Sequence, residues 1–546
     1  MNKLFFVAPL FFLLNACSNK TNIDLLVKGA TVYTIDSAFS TTEAIAVKDG
    51  KILATGSNAD LLKKYEAKET IDAEGKFVYP GFIDAHAHFV GYGLGLQTVN
   101  LVGTENWEDI LHRLTDAGKG MDTAGWLIGR GWDQNDWPVK EFPSNEKLNQ
   151  LFPNRPVFLV RVDGHAAIAN KKALELAGVQ PGFTLTGGQV EVKNGKLTGI
   201  LIDNAVGLVR SSIPQPTVPQ MKTALLLAQQ NCFAAGLTTV DDCGLDYNAI
   251  LFIDSLQKAG DLTMRVYAML SDNKKNFDFI AVKGKIKTER LNVRSFKVYA
   301  DGALGSRGAC LLQPYNDKPG WSGFLLSPAN HFDSVAAVIY KLGFQMCTHA
   351  IGDSGNRVIL QTYARQLKGK NDLRWRIEHA QVINQNDFRL FGENNIIPSV
   401  QPTHATSDMY WAASRLGPER IKGAYAYNDL LKQNGWLPLG TDFPVEDISP
   451  FKTFYAAVVR KDAKGFPATG FQPENALTRQ DALRGMTIWA ARANFEETEK
   501  GSIEKGKLAD FVVLDQDLIK TAPENIPGTK VISTFINGQK VYTNKQ

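Results

Sequence analysis

Side chains that can bind a divalent metal ion stand near the ends of short apolar segments in this sequence. They are four histidines, a lysine and an aspartate: His86, His88, Lys297, His349, His379 and Asp442. Imidazole nitrogens and carboxylate oxygens are typical zinc ligands. If these segments are strands, His86 and His88 lie on the same face and can converge on one ion. His349 and His379 can converge on a second ion. Asp442 can bind a metal ion and can also transfer protons.

Lys297 is the unusual member of this set. It lies in FKVYADGALGSRG, where apolar and polar residues alternate as they do in a strand with two unlike faces. Burying an unpaired ammonium group costs several kcal/mol, on the order of the penalty for one isolated ion. The sequence therefore leaves two explanations open. Either Lys297 forms an ion pair, with Asp301 or Asp241 as candidates, or its amine is not protonated.

The elements that must position these residues form a regular series. Short apolar strands alternate with helical stretches, which is typical of parallel β/α architecture. Eight strand candidates can be recognised at 81–88, 238–243, 265–270, 295–301, 344–350, 374–380, 396–402 and 436–442. The series predicts a (β/α)8 barrel of the TIM type over 81–501. Active sites of this barrel lie at the carboxyl ends of the strands, where the six side chains stand.

The connection between the first and second strands, about 89–217, is much longer than one helix requires. It contains strand-like segments of its own, and GHAAIANKKALELAG (164–178) is predicted as a helix. An insertion after a barrel strand lies on the catalytic face, so we expect this one to roof the site. His165 is predicted to contact substrate. Trp132 and Trp137 could line the pocket, or they could form the core of the insertion.

Both ends of the mature chain are rich in short alternating strands with Asp-Gly, Glu-Gly and Asn-Gly turns. The pattern predicts a small composite β-sandwich domain built from 21–80 together with 502–546.

The first residues are predicted to be a targeting signal. An apolar run after Lys3 is too short to span a bilayer and ends in Leu14-Asn15-Ala16-Cys17, which resembles a bacterial lipoprotein signal. Residues 1–17 would then comprise the signal peptide and the lipidated Cys17, although ordinary export or a retained anchor would also use such a run. Ser18 after the cysteine favours the outer membrane, facing the periplasm. Contact with a membrane is expected only through this lipid anchor.

Composition and charge exclude other classes of partner. The 546 residues are 44% hydrophobic and 21% charged, with a formal net charge of +4, which is too small to indicate nucleic acid as a partner. The other cysteines, Cys232, Cys243, Cys310 and Cys347, are too few for a disulfide framework. Buried thiols are the simplest expectation, with one disulfide or a metal-binding role as alternatives.

Several motifs together resemble one family. PGFIDAHAH, KLADFVVLD, THAIGD, IEHAQ, SVQPTH and GTDFPV are similar to motifs of the amidohydrolase superfamily. With FKVYADGALGSRGA, they resemble the branch that contains N-substituted formamide deformylase. The resemblance covers essentially the whole mature chain, including GRGWDQNDW and RVDGHAA in the insertion.

The resemblance implies a specific set of roles. His86, His88 and Asp442 would bind one metal ion, and His349 and His379 would bind another. Lys297 would carry a carboxylate group on Nζ and bridge the two ions, most simply Zn²⁺. A dry cationic site lowers the pKa of a lysine, and the neutral amine can capture CO2. A site with one ion is the alternative.

The resemblance also implies a reaction. A metal ion lowers the pKa of a bound water towards about 7. The resulting hydroxide would attack the carbonyl carbon of the substrate, so that a carbon–nitrogen bond other than a peptide bond is cleaved. We expect an amide, formamide or cyclic amide of small size as substrate, with Asp442 as the general base and then the general acid. Deamination or dipeptide hydrolysis at the same site, and a lipoprotein that only captures a ligand, are the alternatives. Candidate substrate-binding residues are His165, Arg307, Asp301, Trp132 and His404.

Overall fold

A computed structural model describes residues 20–119 and 125–544. The predicted signal peptide and Cys17 lie outside the described residues. Within the described ranges, no helix is both long enough and apolar enough to cross a membrane.

The N-terminal segment forms a small sheet and the start of a second one. Its elements are β1 (Thr21–Lys28), β2 (Thr31–Tyr33), β3 (Thr41–Thr42), β4 (Ala44–Lys48), β5 (Lys51–Gly56), α1 (Asn58–Lys64), β6 (Tyr65–Asp72) and β7 (Phe77–Pro80). The first sheet has the strand order β5-β4-β1-β6. The Ser57 side chain caps α1 by accepting a hydrogen bond from the Asp60 backbone N–H, as is usual for serine at this position.

The first barrel strand, β8 (Phe82–Ala87), is followed by the insertion. The insertion contains α2 (Phe89–Gly95), β9 (Val99–Asn100), α3 (Trp107–Gly118), β10 (Leu127–Trp132), α4 (Glu146–Leu151), β11 (Val157–Arg161), β12 (Ala166–Ala169), α5 (Lys171–Leu176), β13 (Gly188–Lys193), β14 (Lys196–Asp203) and α6 (Asn204–Arg210). Its strands form one sheet of order β13-β14-β12-β11-β10-β9.

The helix predicted at 164–178 is only partly correct. Ala166–Ala169 is the strand β12, and the helix is limited to Lys171–Leu176. The Asn170 side chain separates the two elements because it accepts a hydrogen bond from the Ala173 backbone N–H at 3.0 Å and caps α5. A short apolar run such as Ala166–Ala169 does not distinguish a strand from a buried helical turn.

The rest of the barrel follows the insertion. Its elements are α7 (Val218–Ala234), β15 (Leu237–Leu245), α8 (Tyr247–Lys258), β16 (Arg265–Ser271), α9 (Lys274–Lys283), β17 (Ile286–Lys287), β18 (Leu291–Tyr299), α10 (Ala329–Leu342), β19 (Gln345–Ala350), α11 (Asp353–Leu367), β20 (Arg376–His379), α12 (Phe388–Glu393), β21 (Ile397–Ser399), α13 (Pro402–Asp408), α14 (Ala412–Arg420), α15 (Tyr427–Asn434), α16 (Pro450–Val459), α17 (Arg479–Gly485) and α18 (Ile488–Ala493). Parallel strands run in the order β21-β20-β19-β18-β16-β15-β8, with the short β17 antiparallel to β18. The main apolar core lies between these strands and the surrounding helices. The predicted barrel is confirmed.

The eighth barrel strand, predicted at 436–442, is wrong as a strand. Only Leu439 forms a bridge there, in parallel pairing with Val400 of the preceding unit. Backbone hydrogen bonds nevertheless join this segment to both neighbours. Val400 N–H donates to the Pro438 carbonyl at 3.2 Å and Gly440 N–H donates to the Val400 carbonyl at 3.1 Å, while Ala85 N–H donates to the Leu439 carbonyl at 3.2 Å on the other side. The last unit therefore closes the barrel through its backbone, although it contains only an isolated bridge.

The C-terminal strands β22 (Phe511–Leu514), β23 (Val531–Ile536) and β24 (Gln539–Thr543) join the N-terminal segment in one six-stranded sheet. Its order is β24-β23-β22-β7-β2-β3, so three C-terminal strands lie beside three N-terminal strands and the two groups join at the β22–β7 pair. This sheet confirms that both termini build one additional β unit. Among the described cysteines, Cys232, Cys243, Cys310 and Cys347 are free thiols, so the disulfide alternative is not seen.

A buried ion pair connects the barrel to this β unit. The Arg265 Nε donates to Asp510 at 2.6 Å and its Nη2 donates to the second Asp510 oxygen at 3.0 Å. Arg265 Nη1 also donates to the Glu289 carbonyl at 2.8 Å. Both charged side chains are almost completely buried, at 2% and 4% exposure. Removing one partner would leave the other charge buried without compensation.

We predict that Arg265→Met lowers the free energy of unfolding by about 3–5 kcal/mol, because Asp510 becomes an isolated buried charge. Lys68→Met is the matched control, since its ion pair with Asp24 is exposed to solvent and contributes little to stability. Urea unfolding midpoints of the two variants measure the difference. Equal midpoints for both variants would show that the Arg265 ion pair does not hold the two parts together.

Candidate active site

A cavity of about 820 Å³ lies at the carboxyl ends of the barrel strands. The barrel supplies His88, His349 and Asp442 to its wall, and the insertion supplies Arg130 and His165 from the opposite side. Its volume is that of a typical small-molecule site.

His86, His88 and Asp442 come together at the bottom of this cavity. The Nε2 atoms of His86 and His88 lie 3.6 and 3.2 Å from the same oxygen of Asp442, Oδ1. One donor atom from each of the three residues lies within 4.8 Å of the others, a spacing that can hold a metal ion. Asp442 Oδ1 is fully buried and has no hydrogen-bond partner among the described residues.

The other ring nitrogens of these two histidines are held by the protein. Glu378 Oε2 lies 2.6 Å from His86 Nδ1, and the Cys243 backbone carbonyl lies 3.1 Å from His88 Nδ1. Both acceptors favour a proton on Nδ1, which leaves Nε2 free towards Asp442. Such partners fix the tautomer and ring orientation of metal-binding histidines. Burial opposes ionisation of Glu378, but His86 and Arg376 outweigh this effect and lower its pKa.

A second group of possible ligands adjoins the first. His379, His404 and Asp442 also present donor atoms within 4.8 Å of one another. The His349 ring packs against the His379 ring with centroids 4.6 Å apart. His349 Nε2 and His379 Nδ1 are buried and have no hydrogen-bond partner in the described part of the chain. Buried polar atoms without partners are costly, so these nitrogens fit a site that accepts a ligand or metal ion.

His404, predicted from the sequence as a substrate contact, instead bonds to Asp442. Its Nε2 lies 3.2 Å from Asp442 Oδ2, and its Nδ1 lies 3.1 Å from Glu446 Oε1. Burial disfavours the charge on His404, but the hydrogen bonds to these two carboxylates outweigh burial and raise its pKa. The ring also borders the cavity, so contact with a substrate remains geometrically open to it.

Lys297 points into the same centre and is completely buried. Its Nζ lies 3.2 Å from His86 Nε2 and 4.9 Å from the centre of the Tyr299 ring. Neither carboxylate considered from the sequence pairs with it: Asp241 bonds Arg376, and Asp301 accepts backbone N–H groups.

The protonation of Lys297 differs from the expectation. Burial opposes its charge, but Cys243, Tyr299 and Glu378 outweigh burial and raise its pKa. The side chains themselves therefore do not produce the lowered pKa that was expected for a dry cationic site.

The closure of the barrel positions Asp442. Asp84 Oδ1 accepts the Thr441 backbone N–H at 2.9 Å, and its Oδ2 accepts the Thr441 hydroxyl at 2.7 Å. The Asp442 backbone N–H donates to the His86 carbonyl at 2.8 Å. Gly440 permits this approach, because a Cβ there would lie 2.5 Å from the His86 nitrogen. Asp442 has φ of 64°, a left-handed conformation in which aspartate is tolerated better than most residues.

His165 lies over the centre from the insertion. Its Nδ1 lies 2.7 Å from Asp203 Oδ1, and its ring centroid lies 4.9 Å from that of His349. Burial disfavours its charge, but the hydrogen bond to Asp203 outweighs burial and raises its pKa. His165 therefore stands where a substrate would contact it.

Three residues that the sequence suggested for the pocket do not line this cavity. Trp132 packs in the core of the insertion, where its Nε1 donates to the Leu159 carbonyl at 3.0 Å. Asp301 is buried, and its carboxylate accepts hydrogen bonds from the backbone N–H groups of Cys310 and Gly352. Arg307 forms an ion pair with Asp317 at 2.8 Å. The alternative for Trp137, a place in the insertion core, is the one observed.

Two residues of the site were missed in the sequence. Glu378 is adjacent to His379, and regular strand alternation would place the two side chains on opposite faces. His379 has φ of 74°, which ends that alternation and allows the side chains of both Glu378 and His379 to face the site. Arg130 lines the cavity, although the sequence predicts no more than a strand for the segment that contains it. A carboxylate or guanidinium inside an apolar strand was the available signal.

Comparisons with known proteins agree with this geometry. The sequence profile of the amidohydrolase family matches residues 69–542. The chain is 34% identical over 542 residues to "Protein LONG AFTER FAR-RED 3" of Arabidopsis thaliana, covering 95% of this chain and 91% of that protein. It is 30% identical over 523 residues to "Putative amidohydrolase YtcJ" of Bacillus subtilis, covering 94% and 98%. It is 25% identical over 539 residues to "N-substituted formamide deformylase" of Arthrobacter pascens, covering 94% and 97%.

A solved structure is also similar over its whole length. An uncharacterized metal-dependent hydrolase from Pyrococcus horikoshii OT3 superimposes with a TM-score of 0.75 and 28% identity, covering 91% of this chain and 99% of that one.

We predict that Glu378→Gln weakens metal binding by about 10–100-fold, because the amide no longer favours the Nδ1–H tautomer of His86 as strongly. The dissociation constant for Zn²⁺, measured by competition with a chromogenic chelator, tests this. Glu393→Gln is the control, since its ion pair with Arg389 is exposed on α12. An unchanged constant for Glu378→Gln would show that Glu378 does not tune the site.

Proposed function

The chain belongs to the amidohydrolase family of metal-dependent hydrolases, and on that premise we propose that it hydrolyses a carbon–nitrogen bond other than a peptide bond. The substrate is an amide, formamide or cyclic amide of a size that fits the cavity. The observation that carries the proposal is the convergence of two histidine Nε2 atoms on the unpartnered Asp442 Oδ1, inside a cavity of the barrel's catalytic face.

The proposed ligands follow from this geometry and from the family. His86, His88 and Asp442 would hold one divalent ion, for which zinc is suited by its preference for imidazole and carboxylate. His349 and His379 would hold a second, and their unpartnered nitrogens support this assignment. Lys297 would bridge the two ions as a carboxylated lysine, since its Nζ adjoins His86 and no carboxylate of a described residue forms an ion pair with it.

The reaction would use the groups around Asp442. Bound ions would activate a water molecule and polarise the substrate carbonyl. Asp442 would accept the proton of the attacking water and deliver it to the leaving nitrogen. The hydrogen bond from His404 to Oδ2 holds the carboxylate in place and leaves Oδ1 directed at the histidines. His165, fixed by Asp203, would donate from Nε2 to an oxygen of the substrate.

Two other reactions could use the same groups. Deamination would release ammonia from an amine-bearing heterocycle, and dipeptide hydrolysis would release two amino acids. A hydrolysis screen over N-formyl, N-acyl and cyclic amides, dipeptides and aminated heterocycles separates the three by their products. Formate, a carboxylic acid or a ring-opened product supports the proposal.

We predict that Asp442→Asn lowers kcat by about 10²–10⁴-fold on any substrate found in the screen, because the amide cannot transfer the proton. Asp429→Asn is the control, since that carboxylate pairs with Lys432 on the outside of the barrel. Turnover is measured together with metal content, which we expect to stay largely intact. Turnover at the wild-type rate would remove Asp442 from the mechanism.

We also propose that the protein is a lipoprotein of the bacterial outer membrane, facing the periplasm, with Cys17 as the lipidated residue. The proposal is supported by the Leu14-Asn15-Ala16-Cys17 sequence and by Ser18.

We predict that Cys17→Ser moves the expressed protein from the detergent phase to the aqueous phase in a phase-partition assay, because the acyl chains are lost. Cys310→Ser is the control, as this thiol lies in the folded barrel. Detergent partition unaffected by Cys17→Ser would rule out the anchor.

A further inference from the structure

Arg130 is a cation without a counter-ion in the wall of the catalytic cavity. It lies in β10 and lines the cavity from the side of the insertion. Its Nη2 donates to the Val162 backbone carbonyl at 3.0 Å, and this is the one hydrogen bond of the guanidinium within residues 20–119 and 125–544. Nε is buried with no hydrogen bond in the described part of the chain, and the guanidinium forms no ion pair with a described residue.

Two other cations at this wall, Arg161 and Lys452, are already neutralised, and Lys297 belongs to the proposed metal centre. Arg161 forms ion pairs with both Asp133 and Asp163. Lys452 pairs with Asp447 at 2.6 Å. Arg130 is therefore the arginine of the described cavity wall that retains binding capacity for an anion.

A bulge in β10 gives Arg130 this position. Arg130 pairs with Val160, but the next paired residue is Trp132, opposite Arg161, so Gly131 is an extra residue. The extra residue turns Trp132 into the core with Leu159 and leaves Arg130 on the other face. Gly131 has φ of 111°, and a Cβ there would lie 2.5 Å from a Val102 methyl group, so glycine is required.

The electrostatic surroundings compensate the charge of Arg130 only in part, since the charges of Asp442 and Asp163 act against the effect of burial. Burial lowers its pKa to about 10, and the positive charge of Arg210 at the end of α6 contributes to the lowering. The side chain stays protonated at neutral pH. A partly buried cation with unused donors is stabilised further when an anion binds it.

We propose that Arg130 binds a carboxylate of the substrate, so that the enzyme acts on amides that also carry a carboxylate, such as N-formyl, N-acyl or N-carbamoyl amino acids. The inference rests on the proposed amide hydrolysis and names its substrate class. The planar guanidinium can donate two parallel hydrogen bonds to the two oxygens of a carboxylate. Arg130 and Asp442 line the same cavity, so one small molecule can contact both.

A single negative charge fits this wall better than a phosphate group does. Asp136, Asp163 and Glu446 also border the cavity, and their charges would oppose a dianion. A monoanionic carboxylate needs only the one guanidinium.

The test compares paired probes that differ only in the carboxylate. N-formyl- and N-acetyl-L-phenylalanine are compared with N-formyl- and N-acetyl-2-phenylethylamine, using metal-loaded wild type, Arg130→Met, Arg130→Lys and Arg357→Met. Formate or acetate release gives kcat/KM, and calorimetry gives the dissociation constant of each probe. Arg357 is the control because it pairs with Asp387 away from the cavity.

We expect the wild type to favour the acid probes, and Arg130→Met to lower the ratio of acid to neutral kcat/KM by roughly 10–100-fold. Arg130→Lys should keep part of the preference, and Arg357→Met all of it. An equal loss for acid and neutral probes would indicate a structural role for Arg130 and overturn the inference. So would a preference for acids that survives in Arg130→Met, because the carboxylate would then bind elsewhere.

The outcomes also separate this inference from the proposed function. Hydrolysis of the acid and neutral probes at equal kcat/KM would support amide hydrolysis and contradict the proposed role of Arg130. Absence of hydrolysis, with acid binding at least about 10-fold tighter than neutral binding and dependent on Arg130, keeps the carboxylate site and counts against the proposed reaction. Equal or undetectable binding of acid and neutral probes by the wild type overturns the carboxylate site.

Discussion

The contact between Asp84 and Thr441 is the constraint on which the site depends. The two residues are 357 positions apart in the chain, and their hydrogen bonds join the first barrel strand to the last unit. That last unit forms one isolated bridge to its other neighbour, and these side-chain bonds add to the backbone hydrogen bonds that close the barrel. Because His86 and His88 follow Asp84, and Asp442 follows Thr441, this closure also brings the proposed metal ligands together.

Buried charge is concentrated around this closure. Burial raises the pKa of Asp84 and of Asp241 to about 7, and Arg376 beside Asp241 counteracts part of that effect. Lys297 is also completely buried beside His86 and forms no ion pair with a carboxylate of the described residues. Such a cluster contributes little to stability by itself, since removal of charges from water is costly. Its arrangement is explained by a reaction that needs several oriented donors and acceptors in a dry cavity.

Much of the barrel could be predicted from the sequence. Parallel strands are buried on both faces, so they appear as apolar runs, and the polar residue that ends each run marks the catalytic edge. The chain order of those runs predicted which side chains would gather. The last unit could not be assigned correctly, because its shape depends on Asp84 and Gly440 rather than on local pattern.

The finer features of the site depend on single backbone irregularities. The bulge at Gly131 decides that Arg130, and not Trp132, borders the cavity. The left-handed conformation of His379 turns its ring to the same side as Glu378, which contacts His86. The partners of Arg307 and Asp301 likewise come from loops that are distant in the sequence, so their places could not be read from strand order.

The central claim is that His86, His88 and Asp442 form a metal site with His349, His379 and Lys297 beside it. Anomalous diffraction from zinc-loaded crystals, collected on both sides of the zinc absorption edge, tests it most directly. The account predicts one peak among His86, His88 and Asp442, a second beside His349 and His379, and density extending from Lys297 Nζ between them. Zinc bound elsewhere in the molecule, with no peak at Asp442, would contradict it.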